Sequence, residues 1–485
     1  MTYAEHVVRM EHVVRTKLLS MNNQSHKDRM SNDQPGAKPK QTGTVDPAHT
    51  LRGEIQLPPD KSISHRAALF SAITDPATGE QTLENYSEAA DPQSTLSCLR
   101  QLGISVRTEG STVSILGVGR NGFRAPSAPL DCGNSGTTMR LLTGLLAGSG
   151  TPSTLIGDES LSARPMRRIL APLRSMGCNL TARDDQYAPI QVGTHEGIRG
   201  ITYPLPVASA QLKSCLLLAG LYADQPTTIL EEHPTRDHTE RSLALSSHRR
   251  DGITHIQSSS ASEIPSQSSR IPGDFSAAAF WLVAASIMGL HDTPGSGTPI
   301  NPTSLTLPGT GINPSRTALL DLLRTMGADI HMQNQHLSGQ EPVADLHVRA
   351  SSLIAITPDP AIIPNCIDEL PILMVAMAFA RGRSIIRGAE ELRHKETDRL
   401  AAMEDVLDRA GCPFTSTSDG IEIQGNPNFR PRPATYNSYH DHRIAMAAAI
   451  LALRSTGRSV IQHPECTAIS YPNFWNDLHR VSFSG

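Results

Sequence analysis

The chain has 485 residues, a formal charge of −4, 38% apolar residues and only 4% aromatic ones. Its length sets a prior of two or three domains and allows a core that needs no disulfide staples. The near-neutral balance argues against a broad nucleic-acid footprint, and the scarcity of aromatics against a base-stacking platform.

Residues 1–46 are polar, and Glu5-His6-Val7-Val8-Arg9 recurs as Glu11-His12-Val13-Val14-Arg15. One short amphipathic helix in an otherwise disordered tail is the expectation. The stretch lacks the pattern of a secretory signal, and its Asp and Glu content fits a plastid transit peptide poorly. Next comes Pro59-Asp60-Lys61-Ser62-Ile63-Ser64-His65-Arg66-Ala67. Pro58-Pro59 end an extended segment, Asp60 can cap, and a helix starts near Ser62. Lys61, Ser62 and Arg66 then lie around its first turn, where free N–H groups and the helix dipole suit an anion.

That helix opens a series. Ala- and Leu-rich runs follow near 138–146, 211–219, 276–283, 370–377 and 444–451, most of them roughly 70 residues apart. Such uniform apolarity predicts helices buried on all sides, with sheets outside them. A second helix type ends in Gly103, Gly177, Gly327 and Gly411, each read as the residue just past the helix C-terminus. Alternating runs such as Ser111–Ile115 and Gly420–Ile423 read as strands. The sum is an α/β protein of six β-α-β-α-β-β repeats, three to a domain. Residues 243–271, rich in Ser, His and Gln, read as an exposed loop at the junction. The expected domains are 61–271 and, with the strand before Lys61 joining the C-terminal half, 47–60 plus 272–485. The seven scattered cysteines read as reduced thiols of a cytoplasmic protein. No apolar run reaches the ~18 residues of a membrane span.

Polar groups stand at the start of one buried helix after another. Cys132-Gly133-Asn134-Ser135-Gly136-Thr137-Thr138 could hold an anion on its backbone, yet no Gly-Lys-Ser/Thr follows as in a Walker loop. Arg164 precedes Pro165 and is thereby held extended at a helix start, able to fork onto a carboxylate or phosphate. Arg167 and Arg168 read as surface charge. Ser209 and Gln211 open the third helix and Asp368 the fifth, each with simple capping as the alternative. Lys395, Glu396 and Arg399 fall in a charge run that an exposed ion-paired helix would also explain. Arg443 starts the sixth helix. His440 and His442 are two apart, share no helical face and have no third ligand nearby in sequence, so zinc is not expected. Were all six starts to converge, they would confront a ligand carrying several negative charges.

The stretches Pro59–Ala67, Asn134–Arg140, Arg164-Pro165-Met166, Ser209–Lys213, Ile367-Asp368-Glu369, Lys395–Leu400 and Asp441–Met446 resemble the 3-phosphoshikimate 1-carboxyvinyltransferase (EPSP synthase) family, in its second sequence class. The resemblance runs from about Leu51 to near the C-terminus. It implies an inside-out α/β barrel of two domains with a cleft between them. It implies transfer of the enolpyruvyl group of phosphoenolpyruvate to the 5-hydroxyl of shikimate 3-phosphate, with no metal or organic cofactor. The partners implied are these two small molecules, without nucleic acid or membrane, and the protein would act as a monomer. By resemblance Lys61, Ser62, Arg66, Ser209, Gln211, Asp368 and Lys395 bind shikimate 3-phosphate. Lys61, Gly136, Arg164, Gln211, Arg399 and Arg443 would hold phosphoenolpyruvate. Asp368 resembles the base that takes the 5-hydroxyl proton, while Lys61 and Glu396 are candidates for protonating the methylene carbon. Ile469 stands where many members carry Lys, and Gly136, where some insensitive relatives carry Ala, implies glyphosate sensitivity. Two other readings stay open. A UDP-N-acetylglucosamine enolpyruvyl transferase would want Asn after the first Lys and a loop Cys acid, whereas Ser62 follows Lys61. A non-catalytic anion- or RNA-end-binding protein on the related fold would keep the cations without needing Asp368 and Glu396.

Overall fold

The computed structural model describes residues 43–288 and 303–483. Six central helices organise it: α1 (Lys61–Ala72), α2 (Gly136–Ser149), α3 (Ala210–Gly220), α4 (Phe275–Ile287), α5 (Leu370–Ala378) and α6 (His442–Ala452). Each begins where a short polar residue stops the preceding chain. The side chains of Asp60, Ser135, Ser209, Asp274 and Asp441 each accept a hydrogen bond from a first-turn N–H of α1, α2, α3, α4 and α6. Every residue of α4 and α5 is buried, which explains their unbroken apolar sequences.

Sheets cover these helices from outside. The second repeat shows the pattern, with strands Leu130–Asp131, Ser153–Ile156, Tyr187–Val192 and Leu180–Arg183 in that spatial order. The first pair is parallel and the others antiparallel. Along Tyr187–Val192 burial alternates, so one face meets the helices and the other meets solvent. The first and third repeats use the same order. The helices that precede the outer hairpins end at Gly103, Gly177, Gly327 and Gly411, whose φ values of +87°, +98°, +93° and +80° suit glycine. This is a two-domain inside-out α/β architecture with, among the described residues, six separate sheets of three to five strands each.

The buried apolar residues form two clusters. One runs from Ile63 to Ile271; the other joins Val45–Leu57 to Phe275–Val481. The chain crosses between them twice, near 58–62 and 272–274, and the crossings are bonded together. Asp60 N–H donates to Pro272 O and Asp274 N–H to Pro58 O, each at 2.8 Å. Strand Ser269–Arg270 completes the sheet of the first repeat. Strand Thr50–Glu54 pairs with Ser304–Gly311 and thus completes the fourth.

Three expectations need correction. The tail does not extend to 46: Gly43–Val45 is a strand paired with Ser459–Ile461, because Val45 has a core to enter. The helix expected near residue 5 lies outside the described residues. The segment 243–271 is not one loop. Ser246–Arg250 and Ile253–Ser258 form a hairpin whose Ile256 is buried while the first strand is wholly exposed. Finally, the last repeat lacks a hairpin of its own. A 3₁₀ turn at Pro464–Ile469 and a helix at Phe474–Val481 take that place, and Gly43–Val45 supplies its third strand.

Candidate active site

The starts of all six central helices line one cleft of about 530 Å³. Lys61 and Ser62 come from α1, Gly136 from α2, Gln211 from α3, Ser276 from α4 and Arg443 from α6, while Asp368 lies in the 3₁₀ turn Ile367–Glu369 that leads into α5. Ten Lys and Arg side chains face it against five carboxylates, in a chain whose net charge is negative. Free N–H groups and helix dipoles add to that positive field. All twelve residues singled out from the sequence line this cleft: Lys61, Ser62, Arg66, Gly136, Arg164, Ser209, Gln211, Asp368, Lys395, Glu396, Arg399 and Arg443.

Asp368 is the hub. Its carboxylate meets Arg236 at 2.5 Å, Arg399 at 3.2 Å, and Lys395 and Arg443 at 3.8 Å. Burial alone would raise its pKa, but Arg443, Lys395, Arg236 and Arg399 overcome burial and hold it well below the usual carboxylate range. Arg236 belongs to the first half and Asp368 to the second, so this pair spans the cleft. Glu396 accepts from Arg399 at 2.6 Å and is likewise held ionised against the effect of burial. Arg399 is itself buried, and its Nε reaches Asp441 at 2.8 Å. All three of its side-chain nitrogens are therefore bonded to carboxylates.

Lys61 is held by Asp91 at 3.0 Å. Arg66 is 3% exposed and donates to Thr239, Ser214 and the Ser62 carbonyl, with no carboxylate in contact among the described residues. Burial pushes its guanidinium down to about 10, so the side chain is a cation short of an anion. Gln211 accepts from Arg140 at 2.7 Å and donates to Thr137 at 2.9 Å. Ser209 caps α3 through the Leu212 N–H and also lines the cleft. Arg164 sits in the bend after the short helix Glu159–Ser162, its N–H donating to the Leu161 carbonyl at 3.1 Å, and its side chain donates to Asn134 at 3.0 Å.

The charge run does not form one helix. Glu390–His394 is a 3₁₀ turn, Lys395–Asp398 is irregular, and the α-helix starts only at Arg399. Asp398 caps it through the Ala401 N–H. Arg168, read as surface charge, lines the cleft as well. Sequence reasoning assigned no role to Arg140, Arg236 or Arg316. Arg316 is 3% exposed and lies 3.6–3.9 Å from Asp60, Asp274 and Glu369, the residues that open α1, α4 and α5. Ile469 is half-buried against the C-terminal core and contributes an apolar patch. Among the described residues the cleft gathers no set of metal-type ligands.

The arrangement suits two anionic reactants held side by side, with ionised carboxylates among the cations that would hold them. Comparison with known proteins agrees. The family model for EPSP synthase (3-phosphoshikimate 1-carboxyvinyltransferase) matches residues 45–478. A 3-phosphoshikimate 1-carboxyvinyltransferase of Salinibacter ruber is 48% identical over 445 residues, covering 91% of this chain and 99% of the relative. One from Syntrophomonas wolfei is 45% identical over 433 residues, covering 89% and 97%. Among solved structures, EPSP synthase from Acinetobacter baumannii superposes with a TM-score of 0.79 at 36% identity, covering 91% of this chain and 98% of that one. The enolpyruvyl transferase NikO from Streptomyces tendae, at 16% identity and a TM-score of 0.64, shares the fold over 90% and 96% of the two chains.

Proposed function

The chain belongs to the EPSP synthase family, and from that membership we propose how its own residues divide the work. The reaction moves the enolpyruvyl group of phosphoenolpyruvate onto the 5-hydroxyl of shikimate 3-phosphate and releases phosphate, on the route to chorismate and the aromatic amino acids. Two acids must lie together for this. Like unit charges 4 Å apart repel by roughly 4 kcal/mol at an effective dielectric near 20. The surplus of cations in the cleft offsets that repulsion and fixes the attack geometry.

In this reading Ser62, Arg66, Ser209, Gln211 and Lys395 hold shikimate 3-phosphate. Gly136, Arg164, Gln211, Arg399 and Arg443 hold phosphoenolpyruvate, and Lys61 touches both. Arg66, buried with no carboxylate in hydrogen-bonding contact among the described residues, supports the assignment most directly, because a bound phosphate would give it a contacting anion. Asp368 takes the 5-hydroxyl proton. In the free protein four cations make it a weak base. Anionic substrates that draw Arg236, Lys395 and Arg443 towards themselves restore its basicity, so binding arms the base. Lys61 delivers a proton to the methylene carbon, or Glu396 does once substrate binding has drawn Arg399 away and the carboxylate has been protonated. In the second step that C–H bond breaks, the proton returns to its donor, and phosphate leaves with the proton that Asp368 took from the 5-hydroxyl.

The two apolar clusters are the proposed domains, with the paired crossings at 58–62 and 272–274 as hinge. The cleft is complete within one chain, which supports a monomer. Seven buried free thiols support a reducing compartment such as the cytoplasm. Gly136 lines the cleft, and a Cβ there would stand 2.6 Å from Arg140 Nη1, which donates to Gln211, so a larger residue would press on that contact; glycine at this position is the ground for expecting glyphosate sensitivity. Inhibition competitive with phosphoenolpyruvate is the check.

The observation that carries this reading is the convergence of six helix starts on one cationic cleft containing Asp368 and Glu396. Phosphate release from phosphoenolpyruvate tests it, with shikimate 3-phosphate or UDP-N-acetylglucosamine as acceptor. Release with the first alone is expected. Release with only the UDP-sugar, or with neither, overturns it.

A further inference from the structure

Outside the cleft the fold brings together three side chains that the sequence keeps apart. His440 ends the loop before α6, and His463 and Glu465 follow the strand Ser459–Gln462. Their ligand atoms all lie within 4.8 Å of one another. The two imidazole centroids are 3.9 Å apart, and His463 Nδ1 is 3.6 Å from Glu465 Oε1. We propose that His440, His463 and Glu465 form a site for one divalent transition metal of the zinc class.

Two imidazoles and one carboxylate are the ligand set that zinc, cobalt and nickel favour over magnesium or calcium. Four-coordinate zinc uses bonds of about 2.0–2.2 Å and therefore needs ligand atoms roughly 3.3 Å apart. The present separations close to that by rotating side chains, two of which are exposed. The same exposure leaves the fourth position to water.

The backbone adds an independent reason. Tyr439, His440 and His463 adopt φ values of +54°, +57° and +53°, a left-handed conformation that costs energy for residues other than glycine. Strain of this kind persists where surrounding structure enforces it, and it collects at ligand clamps. Here Ser438 bonds to both loops. Its hydroxyl accepts from His440 N–H at 3.2 Å and donates to the His463 carbonyl at 3.5 Å, so the two loops are tied before any ion arrives. The neighbouring thiol, Cys466, is buried and faces Ser438.

The site would bear on the cleft through covalent continuity. Asp441, next to His440, holds Arg399, and the turn that includes Glu465 ends at Ile469 on the cleft wall. An ion bridging the loops would fix both at once.

Equilibrium dialysis of the full chain against Zn²⁺ tests this, with metal content read by mass spectrometry and the visible spectrum recorded after Co²⁺ replacement. The parent should retain one equivalent that His440→Ala and His463→Ala each lose, together with the bands of four-coordinate Co²⁺. Glu465→Gln should bind at least tenfold more weakly. His248→Ala, which removes one ring of the stacked His248–His255 pair far from these loops in sequence, should bind like the parent. Zn²⁺ should raise the melting temperature of the parent but not of His463→Ala. Equal stoichiometry and spectra in parent, His440→Ala and His463→Ala would overturn the proposal, as would a parent that retains no metal.

Discussion

Asp368 shows how far a single residue can be read. Its place at a helix start was visible in Ile367-Asp368-Glu369, but a capping role was equally visible. The structure separates the two, because Asp368 makes no capping bond and instead faces four cations. Asp368→Asn keeps the shape and removes the base. Turnover should fall by about 10²–10⁴, with shikimate 3-phosphate binding changed by no more than a few-fold. Steady-state phosphate release and calorimetric titration check this, and undiminished turnover would take the base role from Asp368. Arg236 and Arg316 were illegible for a related reason. Arg236 finds its carboxylate 132 positions away, and Arg316 sits among three acids from three different repeats. Nothing local marks either one, since long-range ion pairs leave no spacing to read. Lys61, Arg164 and Arg443 were legible because each stands beside a Pro or a cap that fixes a helix start.

Among elements, the contact between α2 and α3 carries the most consequence. Gly144 lets the helices approach until a Cβ there would sit 2.3 Å from the Cys215 carbonyl oxygen. Backbone cannot swing aside as a side chain can. Gly144→Ala should therefore destabilise the protein by roughly 1–3 kcal/mol. It should also raise the KM for phosphoenolpyruvate, because Gly136 and Arg140 on α2 face Gln211 on α3. Urea unfolding and initial rates measure the two effects, and an unaltered midpoint would contradict the packing account. The central helices were readable because burial on every side writes an unbroken apolar run. The hairpin at 246–258 was not, because its first strand is exposed throughout and carries Ser, His and Arg with no alternation to find. Lys395–Arg399 misled in the opposite sense: its charges have helical spacing, but Asp398 starts the helix one residue before Arg399.

Across the whole molecule, buried carboxylates decide how stability responds to acid. Asp91, Asp237, Asp274, Glu341, Asp368 and Glu396 are held below their ordinary values of 3.8 and 4.5 by neighbouring cations or donors that outweigh burial. A depressed carboxylate contributes stability that is complete above its unfolded pKa and is lost as pH falls through the folded one. Asp60 and Glu240, pushed up chiefly by burial, act in the opposite sense and are outnumbered. The melting temperature should hold from pH 8 to about 5 and drop progressively below about 4.5. Calorimetry across that range tests this, and a level melting temperature down to pH 3.5 would contradict the sign. Several of these acids join the halves: Glu341 bonds to His238 at 2.7 Å, and Asp237 to Asn313 at 2.7 Å. Six repeats could be counted in the sequence because each central helix writes its own long apolar run. The closing of the last sheet by Gly43–Val45 could not, because three residues of strand carry no period. That closure and the double crossing also govern the chain as it leaves the ribosome. The cluster from Ile63 to Ile271 is finished once its own last strand emerges, whereas Val45, Leu51, Ile55 and Leu57 belong to a core not yet translated. At about 5–20 residues per second, these four apolar side chains stay unburied for roughly ten to forty seconds while the remaining repeats are made. A newborn copy is therefore sticky at its oldest end, and that end is where a chaperone would be expected to hold it.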